Sequence, residues 1–225
     1  MCGKFTAMAS WRQVHDFSQA LTAAPGDTAP DDVVTWRPMS NLPAIVFDRE
    51  TGRRRIAPMR WGFPQRKNPK IPQPIHARAE SINETAAFRN AFLDGQRGIV
   101  VMRTFNEGRE IRPGKTEQWT IDPGDGVPRG FAFLWRRFEP EGYPAPLLAC
   151  VMVTVPASAL IAPITDRMPA ILGDADWPVW LGETAAPPAA TKAVLKTMEG
   201  VRWQMQREQK KEYPARKPVP PTGLF

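Results

Sequence analysis

The chain has 225 residues, of which 42% are hydrophobic and 24% are charged, a length sufficient for one sizeable core. Its 25 prolines and 16 glycines are spread along the whole sequence, which excludes long coiled coils and favours many short elements joined by turns. An excess of Lys and Arg gives a net charge of +7, and this charge favours an acidic partner such as nucleic acid.

The cysteine count and the lack of long apolar runs predict a cytoplasmic protein. Only Cys2 and Cys150 are present, so we expect no disulfide framework and a reducing compartment. The sequence has no apolar signal region and no run near the roughly 18 residues that a membrane span needs, so we expect no membrane partner. Cys150 lies in the apolar segment PLLACVMVTV, which predicts a buried, unreactive thiol.

The first part of the chain predicts a helix and a hairpin. Trp11, Val14 and Phe17 recur at helical spacing within residues 9–20, which predicts a short amphipathic helix. The segments AIVFD and RIAPMRWGF flank the turn RETGRR, and this order predicts two paired strands.

Residues 81–95 predict a further helix. Ser81 and Glu84 form a capping-box pattern at its start, which is typical of a helix N-terminus. Phe88 and Phe92 lie four residues apart and therefore on one face.

The second half of the chain predicts strands followed by short helices. Four runs of strand length are rich in β-branched and aromatic residues: GIVVMRTF, EQWTIDP, GFAFLWRRF and LLACVMVTV. The segments ADWPVWLGE and AATKAVLKTME predict short helices, and Trp177 and Trp180 are expected in the core. Residues 213–225 predict an extended, proline-rich basic tail.

Cys2 raises a chemical question of its own. It becomes the N-terminal residue once Met1 is removed, which a small second residue permits. The α-amine and the thiol of such a residue ordinarily have pKa values of about 8 and about 8.5, so both can react near neutral pH. An aldehyde would condense with the amine, and the thiolate would then close a thiazolidine ring. The alternatives are the nucleophile of an N-terminal-nucleophile amidohydrolase and an incidental cysteine.

Six segments in order resemble the SOS response-associated peptidase (SRAP) family. They span roughly residues 1–181 and read MCGKF, MRWGF, HARAES, RTFNEG, ITDRMPAIL and WPVWL. The resemblance implies an α+β fold with a mainly antiparallel, barrel-like β core and flanking helices, which we expect as one domain over residues 1–212. It also implies a monomer that crosslinks itself to abasic sites in single-stranded DNA and removes Met1 by autoproteolysis.

The resemblance assigns roles to individual residues. Cys2 matches the family's adduct-forming cysteine, and Gly3 matches the glycine that lets the sugar approach closely. Arg78 in HARAES matches an arginine that contacts DNA phosphate, and Glu107 in RTFNEG matches a glutamate that shuttles protons. Glu80 is expected to give structural support.

Two positions depart from the family's pattern. The family's asparagine before ARAE is His76 here, and its histidine before DRMP is Thr165. In the family that histidine assists opening of the abasic sugar and proton transfer at the Schiff base. Threonine cannot act as a base near pH 7, whereas a histidine side chain can titrate there. One hypothesis is that His76 takes over proton transfer, and the alternative is that the site binds DNA without completing the reaction.

Adjoining aromatic and basic residues indicate contacts with single-stranded DNA. Arg60 precedes Trp61, and Trp36 precedes Arg37. Such pairs can stack an unpaired base while the cation holds the backbone, with core packing as the alternative for any one tryptophan. Because no Walker loop, no GxGxxG and no metal-spaced Cys and His cluster occur, we expect no cofactor and no metal.

These observations lead to one expected function and two alternatives. We expect covalent capture of abasic sites in single-stranded DNA by Cys2. The first alternative is a single-stranded DNA-binding protein with a degenerate active site. The second is an N-terminal-nucleophile amidohydrolase that acts on a small molecule.

Overall fold

The computed structural model describes residues 4–7, 34–64, 72–139 and 145–209. Within these ranges the chain forms thirteen β-strands and three short α-helices. Cys2, Gly3, the predicted helix over residues 9–20 and the predicted tail over residues 213–225 lie outside the described residues.

Five strands close into a β-barrel. In spatial order they are β10 (Leu147–Pro156), β4 (Arg53–Trp61), β3 (Asn41–Asp48), β6 (Arg97–Met102) and β9 (Arg129–Phe138), and β9 pairs back with β10. The pairing of β4 with β10 is parallel and the other four pairings are antiparallel. Closure pairs every strand on both sides and encloses a core, which confirms the expected α+β, mainly antiparallel, barrel-like fold.

Three short strands extend the barrel beyond its closed ring. They are β5 (His76–Arg78), β11 (Arg167–Pro169) and β12 (Ile171–Leu172). Strands β5 and β11 pair with β10, and β12 pairs with β9. The segments HARAES and ITDRMPAIL therefore reach the same region of the barrel.

A second sheet of five antiparallel strands packs beside the barrel. Its spatial order is β13 (Gln204–Arg207), β8 (Lys115–Asp122), β7 (Thr104–Arg112), β1 (Lys4–Ala7) and β2 (Val34–Trp36). Only Arg103 separates β6 of the barrel from β7 of this sheet. Phe105 of β7 packs edge-on against Phe131 of β9 and against Trp203, so aromatic contacts join the two sheets.

The three helices are short and pack on the outside of the strands. They are α1 (Arg89–Leu93), α2 (Trp177–Leu181) and α3 (Pro188–Ala193), and no helix in the described ranges is long and apolar enough to span a membrane. Trp177 and Trp180 of α2 are buried, as predicted. A β-carbon on Gly130 would lie less than 3.0 Å from two atoms of the Trp177 ring, so glycine is what allows α2 to pack this closely on β9.

The predicted helix over residues 81–95 is wrong in its first half. The chain forms a 3-10 helix at Ala79–Ser81, continues in turns, and becomes α-helical only at α1. Lys192 donates hydrogen bonds to the carbonyl of Glu80 (2.5 Å) and to the side chain of Asn83 (2.7 Å). These tertiary contacts override the local capping pattern at Ser81. Phe88 and Phe92 are nevertheless both buried, as their spacing predicts.

The other predicted elements within the described ranges agree with the structure, except that the helix predicted over AATKAVLKTME ends at Ala193 and covers only the first half of that segment. Strands β3 and β4 form the expected hairpin, with Ala44 opposite Ala57. The four apolar runs of the second half form β6 with β7, then β8, β9 and β10. Cys150 on β10 is fully buried, and burial raises the pKa of its thiol, so this thiol is unreactive at neutral pH.

An ion pair fastens the segment HARAES to the segment ITDRMPAIL. Arg167 donates to both carboxylate oxygens of Glu80, at 2.6 Å and 2.9 Å, and to the carbonyl oxygen of Thr154 at 2.6 Å. The Arg167 side chain is 10% exposed and that of Glu80 is 50% exposed. The hydrogen bond from Arg167 lowers the pKa of Glu80. The expectation that Glu80 gives structural support is met by this contact.

The ion pair predicts a pH-dependent loss of stability in the variant Glu80→Gln. We expect this change to lower the free energy of unfolding near pH 7 by about 1–2 kcal/mol, since Arg167 stays buried while half of the Glu80 side chain is exposed. The pKa of Glu80 is lower in the folded than in the unfolded protein, so the pair stabilises the fold above the unfolded pKa. That contribution is lost as the pH falls through the folded pKa.

Urea unfolding of the wild type and of Glu80→Gln at a series of pH values measures the difference between their free energies of unfolding. It should be largest near neutral pH and shrink on acidification. The control Glu84→Gln removes an exposed carboxylate nearby and should leave the stability unchanged. A deficit of equal size at every pH would contradict an electrostatic role for Glu80.

Candidate functional site

The N-terminal strand β1 lies between two strands that carry predicted site residues. Lys4 pairs with Asn106, the residue before Glu107 on β7. On the other side of β1, Phe5 pairs with Trp36 of β2. The structure thus brings the strand of Glu107 and the strand of Trp36 to the two sides of the segment that directly follows Cys2 and Gly3 in the sequence.

Glu107 is a buried carboxylate, with 1% of its surface exposed. Alternate residues of a strand share a face, so Glu107 lies on the face of β7 that also carries Phe105. Phe105 packs against the aromatic rings of Phe131 and Trp203. The carboxylate therefore sits between the second sheet and the barrel, where water has little access and a proton can be held or passed on.

Asn106 anchors the part of β7 that pairs with Lys4. Its side-chain amide donates to the hydroxyl of Thr120 at 2.8 Å and to the carboxylate of Glu208. Asn106 is 3% exposed, so these bonds satisfy a buried donor. The last described part of the chain, around Glu208, thereby fixes the strand that carries Glu107.

His76 lies on β5, opposite Met152 of β10. Its ring meets the ring of Trp61 edge-on, with 6.2 Å between centroids. Trp61 is fully buried, and its indole nitrogen donates to the carbonyl of Ile75 at 2.9 Å. For Trp61 these contacts favour the packing alternative over base stacking, and they hold the imidazole of His76 against the barrel.

Thr165 and Arg78 lie on opposite sides of the end of β10. Thr165 is 8% exposed, and its hydroxyl accepts a hydrogen bond from the amide of Arg167 at 3.4 Å. Arg78, at the end of β5, is exposed. Thr154 of β10 pairs with Arg78 on one side and with Pro169 on the other. The two motifs are therefore brought together by β10 and by the Arg167–Glu80 ion pair.

Arg60 is engaged by the protein itself. It donates to the carbonyl of Gly62 at 2.6 Å, to the side-chain oxygen of Gln73 at 2.7 Å and to the sulfur of Met39 at 2.7 Å. It thereby ties the turn before β3 to the segment before β5. Arg37, by contrast, is exposed beside the half-buried Trp36, so this second pair presents both a ring and a cation at the surface.

Sequence reasoning missed two supporting residues. Arg167 stands in the quoted segment ITDRMPAIL, where a charged residue among apolar ones is a signal for a buried ion pair. Glu208 lies in a polar stretch without such a signal, and only the pairing of β13 with β8 shows its place. Within the described ranges, no group of three or more His, Cys, Asp and Glu side chains is arranged to hold a metal ion.

Comparisons with known proteins agree with the resemblance of the motifs. The model of the family described as SOS response associated peptidase (SRAP) matches residues 1–211. The abasic site processing protein YobE of Bacillus subtilis (strain 168) is 30% identical over 200 residues, which cover 87% of this chain and 88% of YobE. The abasic site processing protein YoqW of the same strain is 29% identical over 201 residues, which cover 87% of each chain.

Solved structures show the same fold at lower sequence identity. A protein from Bordetella bronchiseptica has a TM-score of 0.72 at 23% identity, covering 93% of this chain and all of the other. A protein from Bacteroides thetaiotaomicron has a TM-score of 0.72 at 16% identity, covering 92% of each chain. Because the family model matches nearly the whole chain and YobE is similar over most of its length, this chain belongs to the SOS response associated peptidase family.

Proposed function

We propose that this protein captures abasic sites in single-stranded DNA covalently, through a thiazolidine formed by Cys2 after autoproteolytic removal of Met1. Membership of the family supports this function, as do the names of YobE and YoqW, which are abasic site processing proteins. The observation that carries the proposal is the buried carboxylate of Glu107 on the strand that pairs with β1.

Covalent geometry limits how far Cys2 can be from Glu107. Two residues of extended chain span at most about 7 Å, so the α-carbon of Cys2 is within that distance of the α-carbon of Lys4. Lys4 pairs with Asn106, and paired α-carbons in an antiparallel sheet are about 5 Å apart. We infer that the thiol and the amine of Cys2 react near Glu107 of β7.

The proposed reaction proceeds in balanced steps. Hydrolysis of the Met1–Cys2 bond consumes one water, releases methionine and frees the amine of Cys2. The ring-opened abasic sugar presents an aldehyde, and the amine adds to its carbonyl carbon and expels one water to give an imine. The thiolate of Cys2 then adds to the same carbon while the nitrogen takes up a proton. The product is a five-membered thiazolidine that joins protein to DNA.

Glu107 and His76 are the proposed proton carriers. Each addition or loss of water requires a proton to move, and a positioned side chain accelerates such transfers by about 100-fold or more. Glu107 is the carboxylate next to β1. In place of the family's histidine, which is Thr165 here, His76 supplies the imidazole, and the Thr165 hydroxyl is left with a hydrogen-bonding role.

Surface residues beside β1 support a single-stranded DNA partner. Trp36 is half-buried and Arg37 is exposed, a combination that can stack an unpaired base and hold its phosphate. Arg78, exposed at the end of β5, is the proposed phosphate contact. Gly3 would give the sugar room, and Arg60 holds the turn that follows Arg37. The proposal includes a cytoplasmic monomer, because capture needs one chain and a reduced thiol.

The pair of cysteines allows a matched test of the nucleophile. We expect the wild type to lose Met1 and to form a heat-stable adduct with an oligonucleotide containing one abasic site, as measured by intact mass. Cys2→Ala should form no adduct while still binding the oligonucleotide in a salt-sensitive manner. Cys150→Ala should crosslink as the wild type does, because the thiol of Cys150 is buried.

The same measurement separates the alternatives. Retention of Met1 would exclude both the capture reaction and an N-terminal-nucleophile amidohydrolase. Loss of Met1 with DNA binding and no adduct would identify a binding protein with a degenerate site.

Glu107→Gln tests the role of the buried carboxylate. This change keeps the shape of the side chain and removes its ability to carry a proton, so we expect adduct formation to slow by about 100-fold. The control Glu110→Gln alters an exposed glutamate on the same strand and should crosslink at the wild-type rate. Equal rates for the two variants at equal thermal stability would remove Glu107 from the mechanism.

His76→Gln tests whether an imidazole has replaced the family's histidine. We expect a slower reaction and the loss of the rate change that accompanies histidine titration near neutral pH. The other histidine of the chain, His15, provides the control His15→Gln, which should retain the wild-type pH profile. An unchanged rate and pH profile in His76→Gln would refute the compensation.

A further inference from the structure

A cavity lined in part by arginine side chains lies at the end of the barrel remote from His76. This cavity of about 530 Å³ opens between the end of β3, the start of β6 and the segment that joins α2 to α3. Arg60 pairs with Asn41 at one end of the β3–β4 hairpin, and Arg53 pairs with Asp48 at the other. The cavity adjoins the Asp48 end, about 20 Å along the strands from Arg60.

Two arginine side chains converge on this cavity. The outer nitrogens Nη2 of Arg97 and Arg49 lie 3.2 Å and 3.9 Å from the position that a β-carbon on Gly182 would occupy. The two nitrogens are therefore at most about 7 Å apart. Gly182 has a φ of +84° as it ends α2, and Gly95 has a φ of +75° on the other side of the same guanidinium groups. Glycine at both positions leaves the space that the two cations occupy.

Two of the three guanidinium nitrogens of Arg97 donate hydrogen bonds to the protein. Its Nε donates to the carbonyl of Trp180, and its Nη1 donates to the carbonyl of Phe92 at 2.9 Å. These bonds account for why Arg97 is half-buried at the ends of α1 and α2. Its Nη2 is left directed at the cavity beside Arg49.

No carboxylate of the described residues neutralises the two arginines. Glu183 also lines the cavity, but it accepts two hydrogen bonds from Arg54, at 2.6 Å and 3.1 Å. The carboxylate of Asp48 forms an ion pair with Arg55 and accepts hydrogen bonds from the backbone amides of Glu50 and Thr51 in the turn that follows it. Burial, and after it the charge of Arg49, lowers the pKa of Arg97 to about 10, so Arg97 remains a cation at neutral pH.

We propose that this cavity binds a phosphate group between Arg49 and Arg97. Two charge-assisted hydrogen bonds of about 2.8 Å, together with the width of a phosphate group, reach at least as far as the largest separation, about 7 Å, that the Gly182 distances allow between the two Nη2 atoms. The negative charge of the phosphate group offsets the repulsion between the cations, and its oxygens accept from both guanidinium groups. The source is either inorganic phosphate or a phosphate of a nucleic acid strand. The site does not depend on the capture reaction.

NMR titration with inorganic phosphate at constant ionic strength tests the site. We expect saturable shifts of the Arg97 Nε–H and of the backbone amides of Gly95 and Gly182. Arg49→Ala should raise the phosphate concentration at half-saturation at least tenfold. The control Arg112→Ala removes an exposed arginine from the far end of β7 and should titrate as the wild type does. An absent or non-saturable response, or an equal response in Arg49→Ala, would overturn the proposal.

A charge-reversal variant provides an independent measure. Arg49→Glu places a carboxylate next to Arg97, so we expect a higher thermal midpoint without phosphate and no saturable response to phosphate. A wild-type phosphate response that persists in Arg49→Glu would also overturn the site.

A second titration with an unmodified single-stranded oligonucleotide identifies the source of the phosphate. If the same resonances shift, and Arg49→Ala weakens oligonucleotide binding more than Arg112→Ala does, the ligand is a nucleic acid phosphate. If only inorganic phosphate shifts them, the ligand is the free ion. Because neither titration requires an abasic site or Cys2, failure of the capture reaction would leave this result unaffected.

Discussion

Strand β10 is hydrogen-bonded on both sides over most of its length, and the barrel depends on this arrangement. Strands β4 and β5 lie on one side, and β9 and β11 lie on the other. The β9 pairing closes the ring, while β5 and β11 bring His76 and the Arg167 segment to the barrel. Strand β10 is also buried on both faces, since its side chains are buried at every position from Ala149 to Val155, and this burial accounts for its nearly continuous apolar sequence.

The site is assembled from parts that are distant in sequence and fixed by different contacts. The ion pair between Arg167 and Glu80 joins two motifs across β10, and Asn106 with Glu208 fixes β7. The N-terminal strand enters the middle of a sheet, where it is paired on both sides. Each part therefore has its own support, and neither His76 nor Thr165 supplies the Arg167–Glu80 contact or the Asn106–Glu208 contact.

Local sequence patterns predicted the elements that are stabilised by contacts between residues close together in the chain. The β3–β4 hairpin follows from two apolar runs around a glycine turn, and Trp177 and Trp180 follow from helical spacing. The helix predicted to begin at Ser81 does not form over its first half because Lys192, more than a hundred residues later in the sequence, binds the same segment. The sequence also did not predict that the side chains of Arg49 and Arg97 lie close together, since their approach depends on how the end of α2 meets the start of β6. Contacts between distant segments, and not propensity, decided these cases.

The place of β1 in its sheet has a consequence for the order of synthesis. Lys4 pairs with Asn106, roughly 100 residues later in the chain, so this contact is among the least local in the fold. A growing polypeptide cannot complete that pairing until the ribosome has made and released β7. The N-terminal strand is made first and paired late, so the nascent chain passes through its early folding before β1 joins β7.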